Sequence, residues 1–115
     1  MQIDITPGNV TVAAISGSVD SLTAEQLMTA LSTAVREQGT RLVADFSNVA
    51  YTSSAGLRAL LATLKDARRQ GGDFRLAGVQ PAVLRVLELS GFTSILKLYG
   101  DVGAAVASFD TEQLQ

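Results

Sequence analysis

The chain of 115 residues contains neither cysteine nor histidine. Without cysteine there is no disulfide framework and no thiolate nucleophile. With both residue types missing, the usual ligands of transition metals are gone, and so is the commonest general base. The expectation is no metal site, no cofactor and no catalytic residue. Excess positive charge is lacking too. Nine basic residues face eleven acidic ones, for a formal net charge of −2, whereas a grip on nucleic acid needs a basic face. No apolar run approaches the roughly 18 residues of a membrane span. The opening Met1-Gln2-Ile3-Asp4 has no basic stretch ahead of an apolar one, so no secretory leader is expected. Neither G-x-x-x-x-G-K-[ST] nor G-x-G-x-x-G occurs, which removes the common phosphate-binding loops. These absences point to a cytoplasmic protein with no nucleic-acid or membrane partner.

What is present is a composition that can fold. The chain is 47% hydrophobic and 17% charged, suited to one compact domain rather than to disorder or to two cores. The expected domain spans 1–110, with a short tail over 111–115. Ile3 and Ile5 alternate with polar residues as a first strand. Pro7-Gly8 reads as a tight turn, because proline presets φ and glycine accepts a positive one. Val10, Val12, Ala14 and Ile15 mark a second strand, antiparallel to the first. Ser21 or Thr23 is placed to cap a helix whose apolar face is Ala24, Leu27, Met28, Leu31 and Val35. Gly39 ends it. Leu42-Val43-Ala44 is a continuous apolar run, the mark of a central strand covered on both faces. A Ser/Asn loop leads to a second helix with Leu57, Leu60, Leu61, Leu64 and Ala67 inward, and Gly71-Gly72 stops it. Phe74, Leu76 and Val79 mark a fourth strand and its exit. Pro81 opens a third helix, Ile95, Leu96 and Leu98 form a fifth strand, and Val102 to Phe109 a last helix.

The order ββαβαβαβα implies an α/β fold: an N-terminal antiparallel hairpin, then a mostly parallel sheet with right-handed crossovers. In such a sheet the strand-to-helix loops gather at the carboxyl ends of the strands, where ligand and partner sites are common. Those loops are Gly17 to Ser21, Ser47 to Ser54 and Gly78 to Pro81. Asp20 and Ser54 therefore share one end of the molecule.

Ser53-Ser54, at the start of the second helix, admits several readings. Either hydroxyl can be an N-cap, worth about 1 kcal/mol. Ser54-Ala55-Gly56 matches the second half of a G-x-S-x-G nucleophile elbow. Thr52 stands where the first glycine belongs, however, and no histidine exists to activate the hydroxyl. A helix N-terminus can hold an anion weakly. Phosphorylation of Ser54 would add a charge of about −1.5 to −2, which the helix dipole tolerates and Arg58, one turn along, can meet. A partner docked over that phosphate would have to desolvate it, at a cost of several kcal/mol without a matching cation. On the exposed face of the same helix, Arg58, Lys65, Arg68 and Arg69 read as a solvated surface, with Arg68 and Arg69 serving the C-terminal dipole.

The run from Asp45 through Tyr51-Thr52-Ser53-Ser54-Ala55-Gly56-Leu57-Arg58 closely resembles the signature of STAS-domain anti-sigma factor antagonists. Gly17-Ser18-Val19-Asp20, Gly71-Gly72-Asp73-Phe74-Arg75-Leu76, and Pro81-Ala82-Val83 through Leu89-Ser90-Gly91-Phe92 resemble further family segments in the same order. The resemblance implies a STAS-type domain acting in a partner switch and catalysing nothing. The unphosphorylated antagonist binds an anti-sigma factor, often also a serine kinase of the histidine-kinase-like ATPase fold. Phosphorylation ends that binding, and a metal-dependent serine phosphatase restores it. The residue matching the acceptor is Ser54. Many family members carry Asp just before it, where this chain has Ser53, the alternative acceptor. The implied partner surface comprises Asp20, Thr52, Ser53, Ser54, Ala55, Gly56, Leu57 and Arg58. Gly56 is expected to permit close packing by the partner or by the loop itself. Two alternatives stand: a non-switching STAS module of a transporter or lipid-transport assembly, and a small nucleotide-binding protein or enzyme.

Overall fold

A computed structural model describes residues 1–113, with side chains through Asp110. Strands β1 (Gln2–Thr6) and β2 (Thr11–Ser16) are followed by α1 (Ala24–Glu37), β3 (Arg41–Asn48) and α2 (Ser54–Arg69). Then come β4 (Asp73–Ala77), α3 (Pro81–Leu89), a 3-10 turn (Phe92–Ser94), β5 (Lys97–Tyr99) and α4 (Val102–Gln113). The sheet order is β1-β2-β3-β4-β5, antiparallel between β1 and β2 and parallel thereafter. The expected α/β architecture and element order are those observed.

Side chains alternate across each strand, and that alternation divides the core. Ala13, Ile15, Leu42, Ala44, Phe46, Phe74 and Leu76 pack with Leu27 and Leu31 of α1 and Leu60 and Leu64 of α2. Val43 and Ala77 turn the other way and meet Ala105 and Phe109 of α4. The run Leu42-Val43-Ala44 is fully buried because helices lie on both faces of β3. No helix among the described residues is long and apolar enough to cross a membrane.

Several boundaries differ from the sequence reading. β3 continues through Asp45, Phe46, Ser47 and Asn48, which shortens the loop after it. Here Phe46 buries its ring in the core, while Asp45 folds its carboxylate back onto the Ser47 N–H at 3.0 Å. Ile95 and Leu96 precede β5, because Phe92–Ser94 forms a 3-10 turn closed by the Ile95 and Leu96 N–H groups on the Phe92 carbonyl. In α2 the helical period turns Ala59 and Thr63 inward, whereas Leu61 is only half-buried. The backbone of α4 runs four residues past Phe109 to Gln113. The tail expected over 111–115 thus begins as helix, and its last two residues lie outside the described residues.

The far end of α2 is bound to the sheet by charge. Asp73, at the start of β4, accepts from Arg68 Nε and Arg75 Nε, both at 2.9 Å. Arg68 also donates to the Ile95 carbonyl at 2.8 Å, so it ties α2 to the segment before β5 rather than merely facing the helix dipole. Arg69 pairs with Asp66 at 3.0 Å. Arg75 is fully buried, donates to Ser108 Oγ at 2.6 Å and lies 3.8 Å from the centre of the Phe109 ring. A guanidinium buried this way is tolerable only with such pairing.

Candidate functional site

The loops β2–α1 and β3–α2 are joined by main-chain bonds that continue the sheet past the strand ends. Gly17 N–H donates to Asn48 O at 3.1 Å and Val19 N–H to Tyr51 O at 2.9 Å, while Ser53 N–H donates to Val19 O at 2.7 Å. Val19 and Thr52 form a parallel bridge. Val19 and Val49 are fully buried and pin the loops from below. Because β2 and β3 are neighbours, the expectation that Asp20 and Ser54 share one end sharpens: they sit on adjacent, fastened loops. The third loop bonds to the ends of β3 and β5: the Gln80 side chain donates to the Ser47 carbonyl at 2.8 Å and Gly78 N–H to the Tyr99 carbonyl at 3.0 Å.

Gly56 is required by this join. A Cβ there would come within 2.6 Å of Val19 Cγ1 and press still harder on Thr52 Oγ1. The close approach that glycine allows is thus with the chain's own loop. Thr52 and Leu57 are 3% and 8% exposed. With Gly56 they form the underside of the site. Ser54 and Arg58 are exposed, and Asp20, Ser53 and Ala55 are half-buried.

The two serines divide their roles. Ser53 has extended backbone geometry and is the N-cap of α2, its Oγ accepting from Gly56 N–H at 3.2 Å. Ser54 is the first helical residue, and its hydroxyl engages no other described residue. The cap is therefore Ser53; Ser54, which the sequence left equally eligible, is not one. The reason lies in backbone geometry: Ser53 continues the extended path from the Thr52 bridge, as an N-cap requires.

The α1 entrance is capped differently from expectation. Neither Ser21 nor Thr23 caps α1 with its side chain. Asp20 Oδ1 instead accepts from Leu22 N–H and Thr23 N–H, each at 2.9 Å, and lies 3.1 Å from Thr23 Oγ1. The Thr23 hydroxyl in turn accepts from Asp20 N–H at 2.9 Å. These bonds, those of Thr23 first, hold the Asp20 carboxyl below the usual carboxylate range. Between the helices, Ser21, Ala24, Glu25 and Met28 of one side and Ala55, Arg58 and Ala59 of the other line a shallow groove of about 280 Å³.

Two features of this end were not foreseen: the exposed side chains of Leu22 and Tyr51. The buried bridge of Val19 with Thr52 was equally hidden, since it depends on strand adjacency. Among the described residues no cluster of acidic residues could hold a metal ion.

Comparison with known proteins then places the chain. The STAS domain family model matches residues 1–105. The chain belongs to the STAS domain family. BtrV of Bordetella bronchiseptica, named as an anti-sigma factor antagonist, is 39% identical over 100 residues, covering 87% of this STAS domain and 86% of BtrV. The crystal structure of an anti-sigma factor antagonist from Mycobacterium paratuberculosis is similar at a TM-score of 0.84 and 29% identity, over 93% of this chain and 92% of that one. A sulfate transporter family protein from Wolinella succinogenes matches at a TM-score of 0.80 and 19% identity, over 97% and 93% of the two chains. The STAS fold is thus shared by proteins named for different roles.

Proposed function

We propose that this STAS domain is an anti-sigma factor antagonist, a non-enzymatic cytoplasmic protein whose binding is switched by phosphorylation of Ser54. In its unmodified form it binds an anti-sigma factor/serine kinase of the histidine-kinase-like ATPase fold and so frees that protein's target. Phosphorylation ends the binding, and a metal-dependent serine phosphatase reverses it. The observation that carries this reading is the exposed, unengaged hydroxyl of Ser54 beside a Ser53 whose hydroxyl is occupied by the cap. The similarity to BtrV supports the class of partner.

The electrostatics favour a folded phosphorylated form. A phosphate on the first residue of α2 faces the unpaired N–H groups and the positive end of the helix dipole, worth roughly 0.3–1 kcal/mol. Arg58 lies one turn along on the exposed surface, where it can form a charge-assisted bond to the added oxygens. Association is what suffers, because a docked partner must strip water from a dianion. In the partner surface, Ser54, Arg58, Asp20, Ser53 and Ala55 are the accessible members. Thr52, Gly56 and Leu57 act from beneath by holding the loops in place.

The test is phosphate incorporation with ATP and Mg²⁺ and each ATPase-fold serine kinase of the source genome, followed by intact mass and site mapping. One phosphate is expected on the wild type and on Ser53→Ala, and none on Ser54→Ala. Modification of Ser54→Ala but not of Ser53→Ala would move the acceptor to Ser53. No mass gain with any kinase would favour a non-switching STAS module.

A further inference from the structure

We infer that Leu22 is the apolar anchor through which this STAS domain engages the kinase that modifies Ser54, with Asp20 as the residue that positions it. The inference rests on the switch reading above and names the contact that reading leaves open.

Among the described residues, four large hydrophobic side chains are notably exposed: Leu22 at 86%, Leu89 at 78%, Tyr51 at 52% and Ile95 at 39%. A lone surface leucine is ordinary. Leu22 and Tyr51, however, occupy the two loops that are fastened together around Ser54. Leu22 is also held rather than free. Its N–H and that of Thr23 both donate to Asp20 Oδ1, and Ala24 N–H closes the turn on the Asp20 carbonyl at 2.9 Å. One residue earlier, Val19 locks the loop to the strand of chain that leads into Ser53 and Ser54. A side chain presented on such a turn loses little backbone freedom on binding, so its apolar surface converts efficiently into affinity.

The surroundings specify the partner. Beside Ser21 runs the groove floored by Ala24, Met28, Ala55 and Ala59, with Glu25 on one rim and Arg58 on the other. The fitting surface is a protein face with an apolar recess for Leu22, flanked by a basic group opposite Glu25 and an acidic one opposite Arg58. Asp20 contributes differently. The described hydrogen bonds of its carboxylate are all to Leu22 and Thr23 of its own loop, so it shapes the turn rather than supplying charge to a partner.

The experiment uses the full chain and each purified ATPase-fold serine kinase of the source genome, reading binding affinity and steady-state phosphorylation of Ser54. Leu22→Ser should weaken binding on the order of tenfold and raise KM by a similar factor, with kcat at saturation unchanged. Its thermal melting should match the wild type, since the side chain is solvated. Asp20→Asn keeps an oxygen acceptor for the Leu22 and Thr23 N–H groups and should bind within about threefold of wild type, whereas Asp20→Ala should fall with Leu22→Ser. Binding of Leu22→Ser within twofold of wild type, in a chain that is phosphorylated normally, overturns the inference alone. Equal losses for Asp20→Asn and Asp20→Ala overturn the positioning role and make the carboxylate's charge the contact. A wild type that accepts no phosphate from any kinase overturns the switch reading and this inference with it.

Discussion

The two ends of α2 are built on opposite plans. At its C-terminal end charges are paired: Arg68 and Arg75 converge on Asp73, Arg69 meets Asp66, and the Arg75 guanidinium is buried under Phe109. At its N-terminal end the hydroxyl of Ser54 has no partner among the described residues and Arg58 projects into water. One end is immobilised by interactions that fail if any member is removed. The other is left chemically open on a backbone held by Ser53, Val19 and Gly56. The proposed phosphorylation would change charge at the open end, while the locked end keeps the helix in register.

The contrast can be broken most severely at the locked end. Arg75→Ala removes one member of a buried ion pair and the seat of Phe109, and should cost about 3–5 kcal/mol, read by urea denaturation. Phosphorylation of Ser54 in the folded fraction should keep its wild-type kcat; a changed kcat would mean the ends are coupled. Next in size, Gly56→Ala forces a methyl group against Val19 and Thr52 and should cost about 1–3 kcal/mol. The Val19 and Ser53 amides should lose hydrogen-exchange protection together. Smaller again is the difference between the serines. Ser53→Ala should lose about 1 kcal/mol with the cap, and Ser54→Ala no more than about 0.5 kcal/mol. Equal losses would remove the division of roles between them.

The smallest effect is one of pH. The Asp20 carboxyl is lowered from its ordinary value of 3.8 by bonds to the charged form. The stability it contributes is present above that value and is lost as pH falls through the lower folded-state value. Replacing it by Asn should flatten the acid limb of a stability profile: the variant should lie slightly below wild type at neutral pH and converge with it as pH falls through that window.

Much of this was legible in the sequence. Leu42-Val43-Ala44, the leucine spacing of α2 and the double glycine at 71–72 carried element order and sheet type, because burial periodicity and backbone conformation are local properties. A Cβ on Gly72 would collide with the Thr40 carbonyl, which is why that stop is glycine. Other features depend on what lies alongside. Which serine caps α2 follows from the Val19–Thr52 bridge, and that bridge exists only because β2 and β3 are neighbours. The burial of Arg75 depends on α4 crossing β4, a contact 33 residues away in sequence. The exposure of Leu22 follows from a turn tied by Asp20, in a segment where helical spacing alone would simply begin α1.

Under the proposed switch, the Val19–Thr52 rung also decides what a kinase would have to recognise. Ser54 stands two residues beyond a β bridge and on the first turn of a helix. It is therefore displayed by tertiary structure, not on an extendable strand of chain. A free peptide copying residues 48–58 would be too short to hold that helix in water and would lack the second loop altogether. Such a peptide should be a poor phosphoacceptor even though it contains the whole acceptor motif. Under the proposed switch the epitope is a folded surface, so unfolding the domain would silence the signal as surely as mutating the serine.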